Sequence, residues 1–196
     1  MKDLARNLAR LRLTCALSGT TPDLHRFAKG DFRMMTARLA KFGMIASLAL
    51  FAFVVALDNI IDYGANFTFV HHVLSMDTTF PDDALRWRAI DNPALWKTAY
   101  ALIILGEALT CLVLAVAAWQ MLRALRSPAP VFAAAKRHVH TGALIGFLVW
   151  FTGFMVVGGE WFQMWQSQAW NGQQAAFRFY VTLLAVLIYV GQAEPD

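Results

Sequence analysis

Residues 42–57 read Phe-Gly-Met-Ile-Ala-Ser-Leu-Ala-Leu-Phe-Ala-Phe-Val-Val-Ala-Leu, sixteen positions without a charge between Lys41 and Asp58. With its flanks this run matches a hydrocarbon layer about 30 Å thick, and it is longer than most helices that pack inside a water-soluble core. The first span is therefore placed at about Ala40–Ile61. Three more stretches repeat the pattern: about Trp96–Leu122 with the single charge Glu107, about Thr141–Gly159 with none, and about 173–193 with Arg178 near its start. Asn171 supplies a candidate N-cap for the last. The fold expected is all-α, an integral membrane four-helix bundle with antiparallel neighbours, since the connections are short and no internal repeat is visible.

Composition agrees. The 196 residues are 58% hydrophobic and 15% charged, and the apolar residues gather in runs. Such a chain takes the lipid bilayer as its solvent and first partner. The formal charge of +4 does not point to nucleic acid, because the basic residues sit beside apolar spans, where lipid head groups and topology account for them. Of the two cysteines, Cys15 falls in the N-terminal arm and Cys111 in mid-span, so no structural disulfide is expected.

The basic residues also set an orientation. Residues 1–41 carry nine Lys or Arg, and the connection after the second span carries Arg123, Arg126, Lys136 and Arg137 with no acid. The other two connections hold only Arg86, Arg88 and Lys97, with Arg178 at an edge, against Asp62, Asp77, Asp82, Asp83, Asp91 and Glu160. Thirteen basic residues inside against four outside predict both termini in the cytoplasm and a larger outer connection between spans one and two. The chain divides into a basic cytoplasmic arm, residues 1–34, and a four-span domain, residues 35–196. Leu4, Leu8 and Leu11 have the spacing of an amphipathic surface helix, with a disordered arm as the alternative. Met34 and Met35 offer another translation start.

Few residues carry chemistry. Glu107 lies about 16 Å into its span at 1.5 Å per residue, where a carboxyl has to be protonated, paired or hydrated. Arg178 is the basic residue within an apolar span, so an interhelical Glu107–Arg178 pair is expected; the alternative is a proton or ligand site at Glu107. A polar outer cluster is expected from Asp58, Asn59, Asp62, His72, Asp77, Arg86, Arg88, Glu160 and Arg178. His71-His72 beside carboxylates lacks the spacing of an established metal motif, so no metal is expected. His72, Ser75 and Asp77 contain the residue types of a hydrolase triad, but such triads are assembled in space. No histidine lies mid-span to hold haem, and no nucleotide fingerprint is present, so no cofactor is expected. Gly142 and Gly146, with Gly153 one heptad on, suit close helix packing, within the bundle or between copies.

Several runs resemble a known family: Asp62-Tyr63-Gly64-Ala65-Asn66-Phe67, Val70-His71-His72-Val73-Leu74-Ser75-Met76-Asp77-Thr78, Arg86-Trp87-Arg88-Ala89-Ile90, Gly158-Gly159-Glu160-Trp161-Phe162-Gln163-Met164-Trp165-Gln166-Ser167, Trp170-Asn171-Gly172-Gln173 and Ala176-Phe177-Arg178-Phe179. Over about residues 35–192 the chain is similar to a bacterial family of predicted small integral membrane proteins whose domain has no known function. The resemblance implies a multi-pass protein of the bacterial inner membrane with its distinctive residues mainly on the outer side, and it implies no activity. The function expected is non-enzymatic, an accessory subunit or a small-ligand or lipid-binding module acting through the outer face. Its partner would be a larger membrane complex or a second copy. The alternative is a membrane enzyme or transporter component using Glu107 and the outer acids.

Overall fold

The computed structural model of the chain describes residues 24–194, and every regular element among them is helical. By their contacts the residues divide into Met1–Ala37 and Arg38–Asp196. The described part of the first unit is the opening turns of α1. The amphipathic pattern at Leu4, Leu8 and Leu11, and Cys15, lie outside the described residues.

Helix α1, Leu24–Ile61, is followed after Asp62 by a shorter helix, α2, Tyr63–Ser75. A 3₁₀ turn, Arg86–Arg88, leads to α3, Pro93–Ala124. Two helices follow, α4, Ala129–Ala135, and α5, Arg137–Phe147, the latter continuing as a π-helix over Leu148–Trp161. A second 3₁₀ turn, Met164–Gln166, precedes α6, Gln173–Gly191. Four stretches are long and apolar enough to cross a membrane: Phe32–Ile61, Pro93–Ala124, Ala129–Trp161 and Gln173–Gly191. Large apolar side chains such as Leu50, Phe53, Ile60, Leu102, Leu112, Leu144, Leu148 and Ile188 stay exposed on all four, which lipid covers and water would not tolerate.

The helix ends run past the apolar stretches because local chemistry sets them. Helix α3 begins three residues before Trp96: the Asn92 side chain accepts the Ala94 N–H at 2.9 Å and Pro93 occupies the first turn. Asn171 Oδ1 accepts the Gln173 N–H at 3.0 Å at the head of α6, although Gly172 takes the cap position itself. Two stretches read from sequence as connections are partly helical. In α2, Phe67, Val70 and Leu74 recur at i, i+3 and i+7, and they join Val73, Met76, Tyr100, Phe162 and Met164 in one apolar cluster. Helix α4 sets Phe132 into a second cluster with Ile45, Leu114, Met121, Val139 and Val190. Both elements are shorter than a span and gain their stability from that packing.

Glycines make room for neighbouring helices at several positions, among them Gly106 on α3 and two on α5. A Cβ on Gly142 would lie 2.6 Å from Leu114 Cδ2, and one on Gly146 would lie 3.0 Å from Leu183 and Trp150 and 3.2 Å from Thr110. The small-residue pair therefore seats α3 and α6 within the bundle. Gly153 takes no part, its nearest neighbour being Leu148 O at 3.7 Å. The π-helix closes with Phe162 N–H on Val157 O at 3.0 Å, a five-residue step.

Candidate functional site

On α3 the buried positions Tyr100, Glu107, Leu114 and Met121 fall seven apart, so Tyr100 and Glu107 share the helix face that looks into the bundle. Opposite them, α1 presents the buried Asn59. Its Nδ2 donates to Glu107 Oε2 at 2.7 Å, while the Tyr100 hydroxyl donates to Asn59 O at 2.8 Å and reaches Asn59 Oδ1 at 3.2 Å. Glu107 is 2% exposed. Its other oxygen, Oε1, accepts no hydrogen bond from the described residues.

This network forms one wall of a cavity of about 340 Å³. Four aromatic rings stand in its other walls: Phe69 from α2, Trp150 and Phe154 from the π-helix, and Phe179 from α6. Phe69 and Phe154 stack at 6.1 Å, and Trp150 meets Phe179 at 5.7 Å. Gly172 lies between Phe69 and Phe154, where a Cβ would come within 3.0 Å of the Phe69 ring. Aliphatic Val55, Val70, Ile103 and Ala176 fill in between them, and Asp58, Asn66 and Ala175, all exposed, also line the cavity.

Arg178 is not the partner of Glu107. The buried positions of α6 are Ala176, Leu183 and Val190, and Arg178, two residues on from Ala176, is turned about 200° from that stripe. It is exposed and lines a neighbouring groove of about 660 Å³ with Ser47, Leu48 and Thr182, on the other side of the Trp150 and Phe179 rings that the groove shares with the cavity. The expected pair fails on helical phase, which side-chain length cannot make up.

The remaining members of the expected outer cluster are dispersed. His72 Nδ1 meets Asp77 Oδ2 at 2.7 Å, and its ring stacks on Trp170 at 4.5 Å. Ser75 Oγ donates to the His72 carbonyl at 3.4 Å, not to the imidazole, so no nucleophilic triad forms there. Arg88 lies over Trp161 at 4.4 Å and donates to its carbonyl at 3.3 Å. Asp62, Arg86 and Glu160 are exposed, and none of them lines the cavity. The tryptophan-rich stretch fastens the α2–α3 connection to the bundle: Thr78 Oγ1 bonds Ser167 Oγ at 2.9 Å and Phe80 N–H bonds Gln166 Oε1 at 2.8 Å. Of the residues singled out from sequence, Asp58, Asn59 and Glu107 share the cavity. Tyr100 and the aromatic walls were missed, although the seven-residue step from Tyr100 to Glu107 was readable.

A second polar cluster holds the tail. Glu194 Oε1 accepts from Lys41 Nζ at 2.7 Å and Lys136 Nζ at 2.9 Å, and Arg38 Nε lies 3.6 Å from Oε2. Burial raises the Glu194 pKa, but the bonds and charges of Lys41 and Lys136 outweigh it and hold the carboxyl below its ordinary value. Lys41 also donates to Gln192 O, and Lys136 to Val190 O, while Arg38 donates to Leu125 O and Ser127 O. These cations, read from sequence as markers of topology, tie α1, the residues that flank α4 and the end of α6 together.

The sequence profile of the family described as "Predicted small integral membrane protein (DUF2165)" matches residues 37–193. The chain belongs to that family. No curated protein and no solved structure matches it.

Proposed function

We propose that this four-span member of the family is a non-enzymatic protein of the bacterial inner membrane that binds a small ligand in the Glu107 cavity. Both termini lie in the cytoplasm and the cavity opens toward the outer face. The protein works as a binding module by itself, as a homo-oligomer, or as an accessory subunit of a larger membrane complex. The observation that carries this reading is a nearly buried carboxylate facing an open cavity with one of its oxygens unbonded by the described residues. A carboxyl kept at such depth is costly unless a partner compensates it. A buried carboxylate oxygen without a hydrogen-bond partner is the exception in folded proteins, and this one faces open space into which a ligand fits.

The test is thermal melting of the purified full chain in maltoside detergent against small ammonium, neutral and carboxylate compounds. At least one class should raise the melting temperature. Ala175→Trp, at an exposed position of the rim, should melt like the native chain without ligand and lose that protection. Failure of all three classes to protect the native chain overturns the binding reading. The rival, a transporter or enzyme component using Glu107, is supported instead by proton flux or turnover in proteoliposomes that Glu107→Gln abolishes.

A further inference from the structure

The side chains around the cavity carry two carboxylates, Asp58 and Glu107, and no Lys, Arg or His. An anion would meet repulsion from both acids with no compensating charge. A bare divalent metal needs six or more oxygen ligands, and among the described residues no three His, Cys, Asp or Glu side chains converge to hold one. A polyhydroxylated neutral ligand needs many hydrogen-bond partners, and apart from the carboxylates the lining offers chiefly Asn59, Asn66 and Tyr100, two of which already bond one another. What aromatic rings and a carboxylate together attract is an organic cation, through the negative ring faces and the opposite charge. The volume, about 340 Å³, lies at the small end of ligand pockets, which run from about 300 to 1,000 Å³.

From this geometry we infer that the cavity's ligand is a small organic ammonium ion, countered by Glu107 and enclosed by Phe69, Tyr100, Trp150, Phe154 and Phe179. The inference rests on the proposed binding function and adds the ligand's charge and class. Asp58, exposed on α1, places a further negative charge at the cavity's edge, where it favours entry of a cation. The Glu107 oxygen left unbonded by Asn59 is the acceptor, or the counter-charge for a quaternary head that has no N–H to donate.

The experiment uses the full chain in maltoside micelles, which contain no ammonium group. Binding is followed by tryptophan fluorescence and by melting temperature. The probes are choline, tetramethylammonium, the neutral tert-butyl analogue of choline, acetate and magnesium chloride. Choline and tetramethylammonium should bind, and the neutral analogue should bind at least about tenfold more weakly. Glu107→Gln, which keeps shape and the Asn59 contact, should weaken choline by about tenfold or more. Ala175→Trp supplies a second variant outside the core, and it should block choline. If the neutral analogue binds as well as choline, or acetate or magnesium binds in its place, the inference falls while the binding function stands. If Glu107→Gln folds and binds choline unchanged, the inference also falls. If no probe of any charge binds, both fall together.

Discussion

Asn59→Leu keeps nearly the volume of the side chain and removes the Nδ2 donor that meets Glu107 Oε2 at 2.7 Å. The Tyr100 hydroxyl keeps its bond to the Asn59 carbonyl, because that oxygen belongs to the backbone. The variant thus removes the Glu107 bond together with the weaker 3.2 Å contact of Tyr100 to Asn59 Oδ1, and the cycle with Glu107 separates the first from the second. Bonds to a charged group contribute about 1.5–3 kcal/mol. Polar contacts between membrane helices average about 0.6 kcal/mol and reach at most about 1.7. A loss of about 1–3 kcal/mol is expected, in a double-mutant cycle of Asn59→Leu and Glu107→Leu followed by equilibrium unfolding in mixed detergent micelles. The coupling should exceed about 0.5 kcal/mol, as for residues in contact. The parallel cycle of Glu107→Leu with Arg178→Gln should be additive, since Arg178 lies on another face of α6 and in another groove. Additivity at Asn59–Glu107 with coupling at Arg178–Glu107 would refute the geometry argued above.

Gly142→Val should destabilise the bundle by about 1–3 kcal/mol through overpacking against Leu114, while Gly153→Ala should stay within about 0.5 kcal/mol; unfolding in detergent compares the two. Glu194 has a depressed pKa, so its stabilising contribution is present above the ordinary carboxylate value and is lost as pH falls through the lower folded value. Melting followed from neutral into acid should show that loss in the native chain. Glu194→Gln should remove this component and cost about 2 kcal/mol near neutrality by leaving Lys41 and Lys136 without their carboxylate. A reporter active only outside the cytoplasm should work when fused at Asp82 and stay silent at Ser127 and Asp196, and activity at Ser127 would contradict the topology drawn from the basic residues.

Four apolar runs made the fold class and the number of spans legible, because lipid requires long uncharged stretches and helical backbone whatever the rest of the chain does. Gly142 and Gly146 could be read as close-packing residues, and Glu107 as the residue whose depth demands a partner. Which partner was not legible. The span boundaries leave a depth difference between Glu107 and Arg178 that long side chains could close, but each helix's rotation about its own axis is set by packing, and α6 seats Leu183 against Gly146, on a different face from Arg178. Asn59, near the end of α1, meets Glu107 only because α1 and α3 are in register there. Likewise α2 and the 162–170 stretch are too short or too polar to signal a fixed position, and their apolar contacts with Tyr100 and Met164 fix them. Sequence alone determined which groups had to avoid lipid; the tertiary structure decided what each one faces, because facing depends on rotation and register between helices, and those depend on side-chain packing across the whole bundle.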